Sequence, residues 1–583
     1  MVGNGSQTGN NEKMYSSKEN VNILTALLVK HGIRHAVVCP GSRNAPIVHN
    51  LNECPDIQCH PVTDERSAGF YALGMALALA EPVVVCVTSG TALLNLQPAV
   101  AEAWYQHQPL VVISADRPRQ WIDQLDGQTL PQPDALGHFV RKAVSLPEVP
   151  RPEEDHEKPN EERWYCNRLI NEALLEATAE DARPVYINVP ITEPLFTFDV
   201  PDLPDERHII RTRPFVDYDG LCPELVEGLL AAKRPMIVFG QTNPHDFEGC
   251  GVGFLFSHVI VLHESLSAFP SISHFDEVLY RHAQSSSDDD DQLLPDFILY
   301  VGGTIVSKRL RHFLRQACHA VTWRISKGGE LEDAFMNLHG IVEGDPEYVL
   351  QSLDQKMSYR KMNGTAYRRR WLNELTLANR HATAHEPTFS QMAAVKCFES
   401  QLAQADIECQ VHYANSTAIR LANIYAPHHV WCNRGVNGIE GSLSTAAGFS
   451  VVSSCRVFCV IGDLSFFYDG NALWNKHLRG NLRILLLNNG RGGIFGMLRG
   501  LKQSPACDEL VAASHHTTAE GICQQNDIHY KSVFRREELP TNMAWLITTE
   551  DTRPLLLEVF TDADEDEQAF KMYYQQFLQA EQG

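Results

Sequence analysis

Along the first third of the chain, short runs of consecutive apolar residues alternate with longer segments of helical character. HAVVCPG (35–41), HPV (60–62), PVVVCVTSG (82–90), PLVVISADRP (109–118) and VYINVP (185–190) are rich in valine and isoleucine. Between them, ERSAGFYALGMALALA (65–80) and ALLNLQPAVAEAWYQ (92–106) have the length of helices. Near-continuous apolar strands belong to parallel sheets, which crossover helices cover on both faces. The pattern predicts an α/β domain over 14–196.

The alternation pauses over 197–215, rich in Pro, Asp and Arg and read as a linker. It resumes with PMIVFGQ (235–241) and DFILYVGGT (296–304), giving a second α/β domain over 216–355. Within it, SSSDDDDQ (285–292) reads as a solvated loop, since like charges repel and no residue there builds a core. A charged helical passage, YRRRWLNELTLANRHATAHEP, leads into a third domain over 385–583, with strand-like QVHYANS, HHVWCNRG, RVFCVIGD and LRILLLNNG. The layout of VVVCVTSG, a helix and PLVVISAD is repeated by VFCVIGD, a helix and LRILLLNNG. Three α/β domains with parallel sheets are expected, the first and last alike.

Composition narrows the function. The 583 residues are 44% hydrophobic, enough for several cores, and the formal net charge is −23. A nucleic acid or an anionic membrane needs a basic face, so neither is an expected partner. The longest apolar run, Phe70 to Ala80, is too short to span a bilayer and reads as a buried helix. Fifteen cysteines with no Cys-x-x-Cys, several in apolar runs, suit packed thiols in a reducing cytoplasm. Residues 1–13 are polar and glycine-rich and read as a disordered tail.

RVFCVIG ends in Asp463, and the next strand, LRILLL, ends in Asn488-Asn489. Asp463 and Asn489 stand 26 positions apart, the length of one crossover, so both can sit at the carboxyl edge where open α/β sheets bind ligands. A carboxylate and an amide oxygen are hard ligands suited to Mg²⁺, and the glycines of NNGRGGIFG let backbone N–H groups approach phosphates. A dinucleotide fingerprint starting at Gly490 fails, because Phe495 stands where the third glycine belongs. The adjacent pairs His428-His429 and His515-His516 are poorly spaced for joint coordination and read as packed or solvated.

Gly-Asp followed by Asn-Asn at this spacing resembles the signature of thiamin diphosphate enzymes. PGSRNAP (40–46), TDERSAG (63–69), TSGTA (88–92), SADRP (114–118), VSKRL (306–310), NRGVNGIEGSLSTAAG (433–448) and GDLS (462–465) together resemble one branch of them. That branch is the 2-succinyl-5-enolpyruvyl-6-hydroxy-3-cyclohexene-1-carboxylate synthases of menaquinone biosynthesis, in which GDLS replaces the commoner Gly-Asp-Gly. The resemblance implies a thiamin diphosphate-binding fold of pyrimidine-binding, middle and diphosphate-binding domains. It implies decarboxylation of 2-oxoglutarate and conjugate addition of the succinyl carbanion equivalent to isochorismate, with Mg²⁺ or Mn²⁺ as the metal. A homodimer or homotetramer with sites at subunit interfaces follows from the same resemblance.

The resemblance also distributes roles. Glu65 faces the aminopyrimidine ring as the catalytic carboxylate. Asp463, Asn489 and the main-chain carbonyl of Arg491 bind the metal; Leu464, Ser465, Gly492, Gly493 and Ile494 line the diphosphate; Ile439 is an apolar wedge under the cofactor. Ser42, Arg43, Arg117 and Gln128, Lys308 and Arg309, and Asn415, Ser416, Arg420 and Arg434 are implied substrate contacts, with a second glutamine, Gln132, in the loop of Gln128. Arginines suit two dicarboxylate substrates, because a guanidinium clamps a carboxylate with parallel hydrogen bonds. A sister decarboxylase or carboligase such as an acetohydroxyacid synthase would share Glu65, Asp463 and Asn489, with little use for the arginines together.

Overall fold

The computed structural model describes residues 14–151, 161–212, 223–247, 251–284, 292–496 and 499–579. The tail read over 1–13 lies outside the described residues, as does all but the last residue of the SSSDDDDQ loop. The chain divides into two compact units, Met1–Arg213 and Pro214–Gly583.

The first unit is built on six strands: β1 (His35–Val38), β2 (Gln58–Pro61), β3 (Val83–Val87), β4 (Leu110–Asp116), β5 (Lys142–Ser145) and β6 (Val185–Pro190). They lie in the order β2-β1-β3-β4-β6-β5 with every pairing parallel, as the apolar runs predict. Helix α1 (Glu65–Leu79) starts at Asp64, whose side chain accepts a hydrogen bond from Ser67 N at 3.0 Å, a cap that satisfies one of the orphan donors of the first turn. Residues 67–77 are buried throughout, which is why the run has no polar stripe. The segment read as one helix over 92–106 is two, Thr91–Asn95 and Gln97–Tyr105, with Pro98 in the first turn of the second. The stretch read as a linker holds a short strand, Phe198–Val200, antiparallel to Tyr15–Ser16.

The second unit carries two five-stranded parallel sheets. In one, β7 (Pro235–Phe239), β8 (Ile260–His263), β9 (Phe297–Val301), β10 (Val321–Ser326) and β11 (Leu338–Glu343) run in the order β8-β7-β9-β10-β11. In the other, β12 (Cys409–Tyr413), β13 (Arg456–Gly462), β14 (Leu482–Asn488), β15 (His529–Val533) and β16 (Leu555–Phe560) run in the order β12-β13-β14-β16-β15. The neighbours β3 and β4 in one unit, and β13 and β14 in the other, bear out the repeated strand–helix–strand layout.

Two elements depart from expectation. HHVWCNRG is no ladder strand; only Trp431 bridges, to His412. The crossover after β13 is helical from Asp463 itself, over Asp463–Tyr468, followed by a single 3₁₀ turn rather than a helix through GNALWNKHLRG. Among the described residues no helix is long and apolar enough to cross a membrane, and no cysteine is disulfide-bonded.

Candidate functional site

In the second unit, the carboxyl ends of β13 and β14 lie side by side, Gly462 paired with Leu487. Asp463 follows the first, buried at 4% exposure. Its Oδ1 accepts from Leu464 N at 2.7 Å, and its Oδ2 accepts from Asn489 N at 3.1 Å and Gly490 N at 2.8 Å. Burial pushes its pKa up, against the pull of those N–H groups and of His515, whose Nε2 stands 3.5 Å from Oδ2. A buried anion held by neutral donors beside one histidine is a carboxylate suited to a cation, so the donor set fits a divalent metal. His515 was not legible as a neighbour of Asp463, because 52 residues of chain and a loop bring it there.

The loop after β14 is tightly folded. Gly490 takes φ +75°, and a Cβ there would meet His515 O at 2.8 Å, so only glycine fits without displacement. Arg491 N donates to Asn489 Oδ1 at 3.3 Å while its guanidinium pairs with Asp564 at 2.7 Å. Gly492 N is held by Ala512 O at 2.7 Å, and Gly493 and Ile494 open a single helical turn. Leu464 and the buried Ser465 lie in the turn of helix that Asp463 begins.

The remaining candidates of this unit converge. Asn415, at 5% exposure, donates to Asn433 O at 2.6 Å and Gly438 O at 2.7 Å and accepts from Arg434 Nη1 at 3.1 Å, tying the end of β12 to the loop that bears Arg434 and Ile439. Ser416 adopts φ +73°, an uncommon conformation for a side-chain-bearing residue, just before helix Thr417–Tyr425. Arg420, on that helix, has its pKa lowered by burial and by Arg434, with Tyr574, Asp276 and Arg309 also within electrostatic reach. Arg309 pairs with Asp276, and its guanidinium lies 4.3 Å from the ring centre of Tyr574 and 5.0 Å from that of Tyr280. Fully buried Glu264 accepts from Val306 N and Ser307 N at 2.6 and 2.7 Å, holding the start of the helix that carries Lys308 and Arg309. Burial pushes the Glu264 carboxyl up to about 7. Lys308 itself is exposed, and Ile439 is 40% exposed.

In the first unit, Ser42, Glu65 and Arg117 follow β1, β2 and β4, all on the carboxyl edge of the sheet. Glu65 is half-buried as the first residue of α1, and its Oε2 accepts from Asn95 Nδ2 at 3.3 Å. Ser42 is exposed. Arg43 is buried and donates to Ile191 O at 3.0 Å and Glu193 at 3.2 Å, so this guanidinium holds the loop after β6. Arg117 reaches Gly127 O at 3.1 Å and Asp126 at 3.3 Å. Gln128 is exposed with φ +56°, whereas Gln132 is wholly buried. Gln132 accepts from Gly90 N at 2.7 Å and donates toward Ser114 Oγ, Ala115 O and Asn188 Oδ1 at 2.9 to 3.1 Å, so it anchors the loop that displays Gln128.

Comparison with known proteins bears on both units. Residues 19–137 match the sequence model of the thiamine pyrophosphate enzyme N-terminal TPP binding domain, and residues 413–559 match that of the C-terminal TPP binding domain. The chain is 44% identical over 577 residues to the 2-succinyl-5-enolpyruvyl-6-hydroxy-3-cyclohexene-1-carboxylate synthase of Bacteroides thetaiotaomicron, covering 97% of this chain and 100% of that protein. The Phocaeicola vulgatus enzyme of the same name is 43% identical, over 96% and 99% of the two chains, and that of Porphyromonas gingivalis 36%, over 96% and 97%. With a buried carboxylate at the end of one strand bonded to the Asn-Gly turn after the next, and with relatives matched from end to end, the chain belongs to the 2-succinyl-5-enolpyruvyl-6-hydroxy-3-cyclohexene-1-carboxylate synthase family of thiamin diphosphate enzymes.

Proposed function

We propose that this protein is a thiamin diphosphate-dependent synthase that converts 2-oxoglutarate and isochorismate to 2-succinyl-5-enolpyruvyl-6-hydroxy-3-cyclohexene-1-carboxylate and CO₂, in menaquinone biosynthesis. The observation that carries it is the Asp463 carboxylate, buried and held by the N–H groups of Asn489 and Gly490, in a chain matched over its length by synthases of that name.

When bound, thiamin diphosphate supplies the carbon nucleophile and electron sink that decarboxylation of a 2-oxo acid requires. The protein's part is to hold, orient and desolvate. Asp463, Asn489 and the carbonyl of Arg491 would hold Mg²⁺ or Mn²⁺, with Leu464, Ser465, Gly492, Gly493 and Ile494 along the diphosphate and Ile439 as an apolar surface under the rings. Glu65 would share a proton with a ring nitrogen of the aminopyrimidine. The cluster of Arg309, Arg420 and Arg434, with Lys308, Asn415 and Ser416, supports recognition of a dicarboxylate: Asp276 pairs with Arg309, and the mutual repulsion of Arg420 and Arg434 favours a further anion. Ser42, Arg43, Arg117 and Gln128 complete the proposed substrate contacts.

Three domains, 14–196, 216–355 and 385–583, a homodimer or homotetramer, and a cytoplasmic location belong to the same reading. Exposed Tyr468, at the end of the Asp463 helix, with exposed Trp474 beyond it, and exposed Trp121 and Leu125 in the first unit support a covered face on each. The test is the loss of isochorismate absorbance when purified protein receives thiamin diphosphate, Mg²⁺ and 2-oxoglutarate, each omitted in turn. Loss requiring all of them is expected; loss without 2-oxoglutarate, or none with every component present, overturns the reading.

A further inference from the structure

Asn489 has a second partner that the metal reading leaves unused. Its Nδ2 donates to Asp566 Oδ2 at 2.9 Å, and the same oxygen accepts from Thr561 Oγ1 at 2.8 Å. The other oxygen of Asp566 accepts from Gln391 N at 2.7 Å. Asp566 lies in the first turn of the helix Ala563–Gln579, 77 positions beyond Asn489.

An asparagine amide presents an oxygen at one end and an NH₂ group at the other, and the two ends are nearly equal in shape. Only the oxygen can bind a cation. A carboxylate can accept but not donate, so Asp566 takes the NH₂ end of Asn489 and leaves Oδ1 on the opposite side, where among the described residues its donor is Arg491 N at a long 3.3 Å. A Cβ on Gly493 would stand 3.2 Å from Asn489 Nδ2, so the glycine leaves room for this rotamer. The cavity beside the pair measures about 20 Å³, room for one water, and the hydrogen bonds of Asp566 go to Asn489, Thr561 and Gln391.

We infer that Asp566 is a positioning residue for the metal site: it fixes the flip of the Asn489 amide so that oxygen, not nitrogen, faces the cation. The inference rests on the reading of Asn489 as a metal ligand. It extends that site to a carboxylate on the last helix, in the way that outer partners orient first ligands elsewhere.

The experiment is a Mn²⁺ titration followed by electron paramagnetic resonance, with saturating thiamin diphosphate. Asp566→Asn has a single acceptor oxygen for three donors, so the Asn489 amide can turn; Mn²⁺ affinity is expected to fall about 10- to 100-fold while the melting temperature of the metal-free protein holds. Thr561→Val removes a donor from the same oxygen without touching Asn489 and is expected to leave affinity within about twofold. In the double variant Asn489→Asp with Asp566→Asn, both ends of side chain 489 are oxygen, orientation no longer matters, and affinity is expected to recover to within about threefold of wild type. Asp566→Ala serves as a second variant, read by the same titration. Wild-type affinity in folded Asp566→Asn, or no recovery in the double variant, overturns the inference alone. Absence of Mn²⁺ binding by the wild-type protein with thiamin diphosphate overturns the metal reading as well.

Discussion

Tyr574 donates its phenolic hydrogen to Asp276 Oδ2 at 2.9 Å, and the guanidinium paired with that carboxylate, Arg309, lies over the tyrosine ring. The tyrosine therefore holds the arginine twice, through the shared carboxylate and through its own π face. Arg309→Lys replaces a planar cation with a compact ammonium that cannot reproduce both contacts. We expect a rise of about tenfold in KM for one of the two dicarboxylates with kcat changed far less, measured by steady-state kinetics with each substrate varied.

Asp463→Asn should separate folding from cofactor binding. The amide relieves the buried charge but offers one acceptor oxygen where the carboxylate serves three N–H groups, so the two effects oppose each other and the melting temperature of the cofactor-free protein is expected to change by only a few degrees. The stabilisation that thiamin diphosphate with Mg²⁺ gives wild type is expected to vanish, and activity to fall at least about 100-fold. A thermal scan with and without cofactor reads both effects.

Gln132 and Gln128 predict opposite outcomes within one loop. Gln132→Ala leaves the buried N–H of Gly90 without its acceptor and takes a donor from Ala115 O, while Ser114 Oγ and Asn188 Oδ1 keep Tyr186 as a partner, and is expected to cost about 3 kcal/mol of stability in a urea titration. Gln128→Ala, on an exposed side chain, should leave stability within about 0.5 kcal/mol and change only KM.

Buried His412 and half-buried His429 make the second unit sensitive to acid. Burial pushes the pKa of His412 and of His429 down to about 3, from an ordinary 6.5. Between those values the unfolded chain binds more protons than the folded one, so stability rises with pH through this window, is complete above about 6.5, and is lost in acid. At about pH 5.5 each ring is expected to cost about 1.4 kcal/mol. His412 packs against Trp431 and Phe449, and His412→Leu should flatten the acid side of a melting-temperature profile by its share.

What could be read in advance follows from how local each signal is. The β13 and β14 runs are continuous and the crossover between them is of ordinary length, so the adjacency of Asp463 and Asn489 follows from chain order. The helical start at Asp463 was hidden because Gly-Asp at the end of a strand has the composition of a turn. HHVWCNRG carries a strand's composition, yet Trp431 packs onto His412 and Phe449, with His429 against its ring, rather than extending a ladder. Asp566, Asp276, Tyr574, Glu264 and His515 belong to no motif; each reaches its partner only through tertiary folding. Gln132 was visible as a second glutamine, but burial alone distinguishes it from its neighbour.

The helix Ala563–Gln579 carries Asp566 at one end, bonded to Asn489, and Tyr574 further along, bonded to Asp276. At 1.5 Å per residue the two stand about 12 Å apart along its axis, with each residue turned about 100° from the last. On the proposed reading of the site, the final helix is thus a graduated ruler between the cation and the substrate carboxylates. Inserting or deleting one residue between positions 566 and 574 would turn one attachment away from its partner while leaving the helix intact, so the spacing admits whole-turn changes far more readily than single steps.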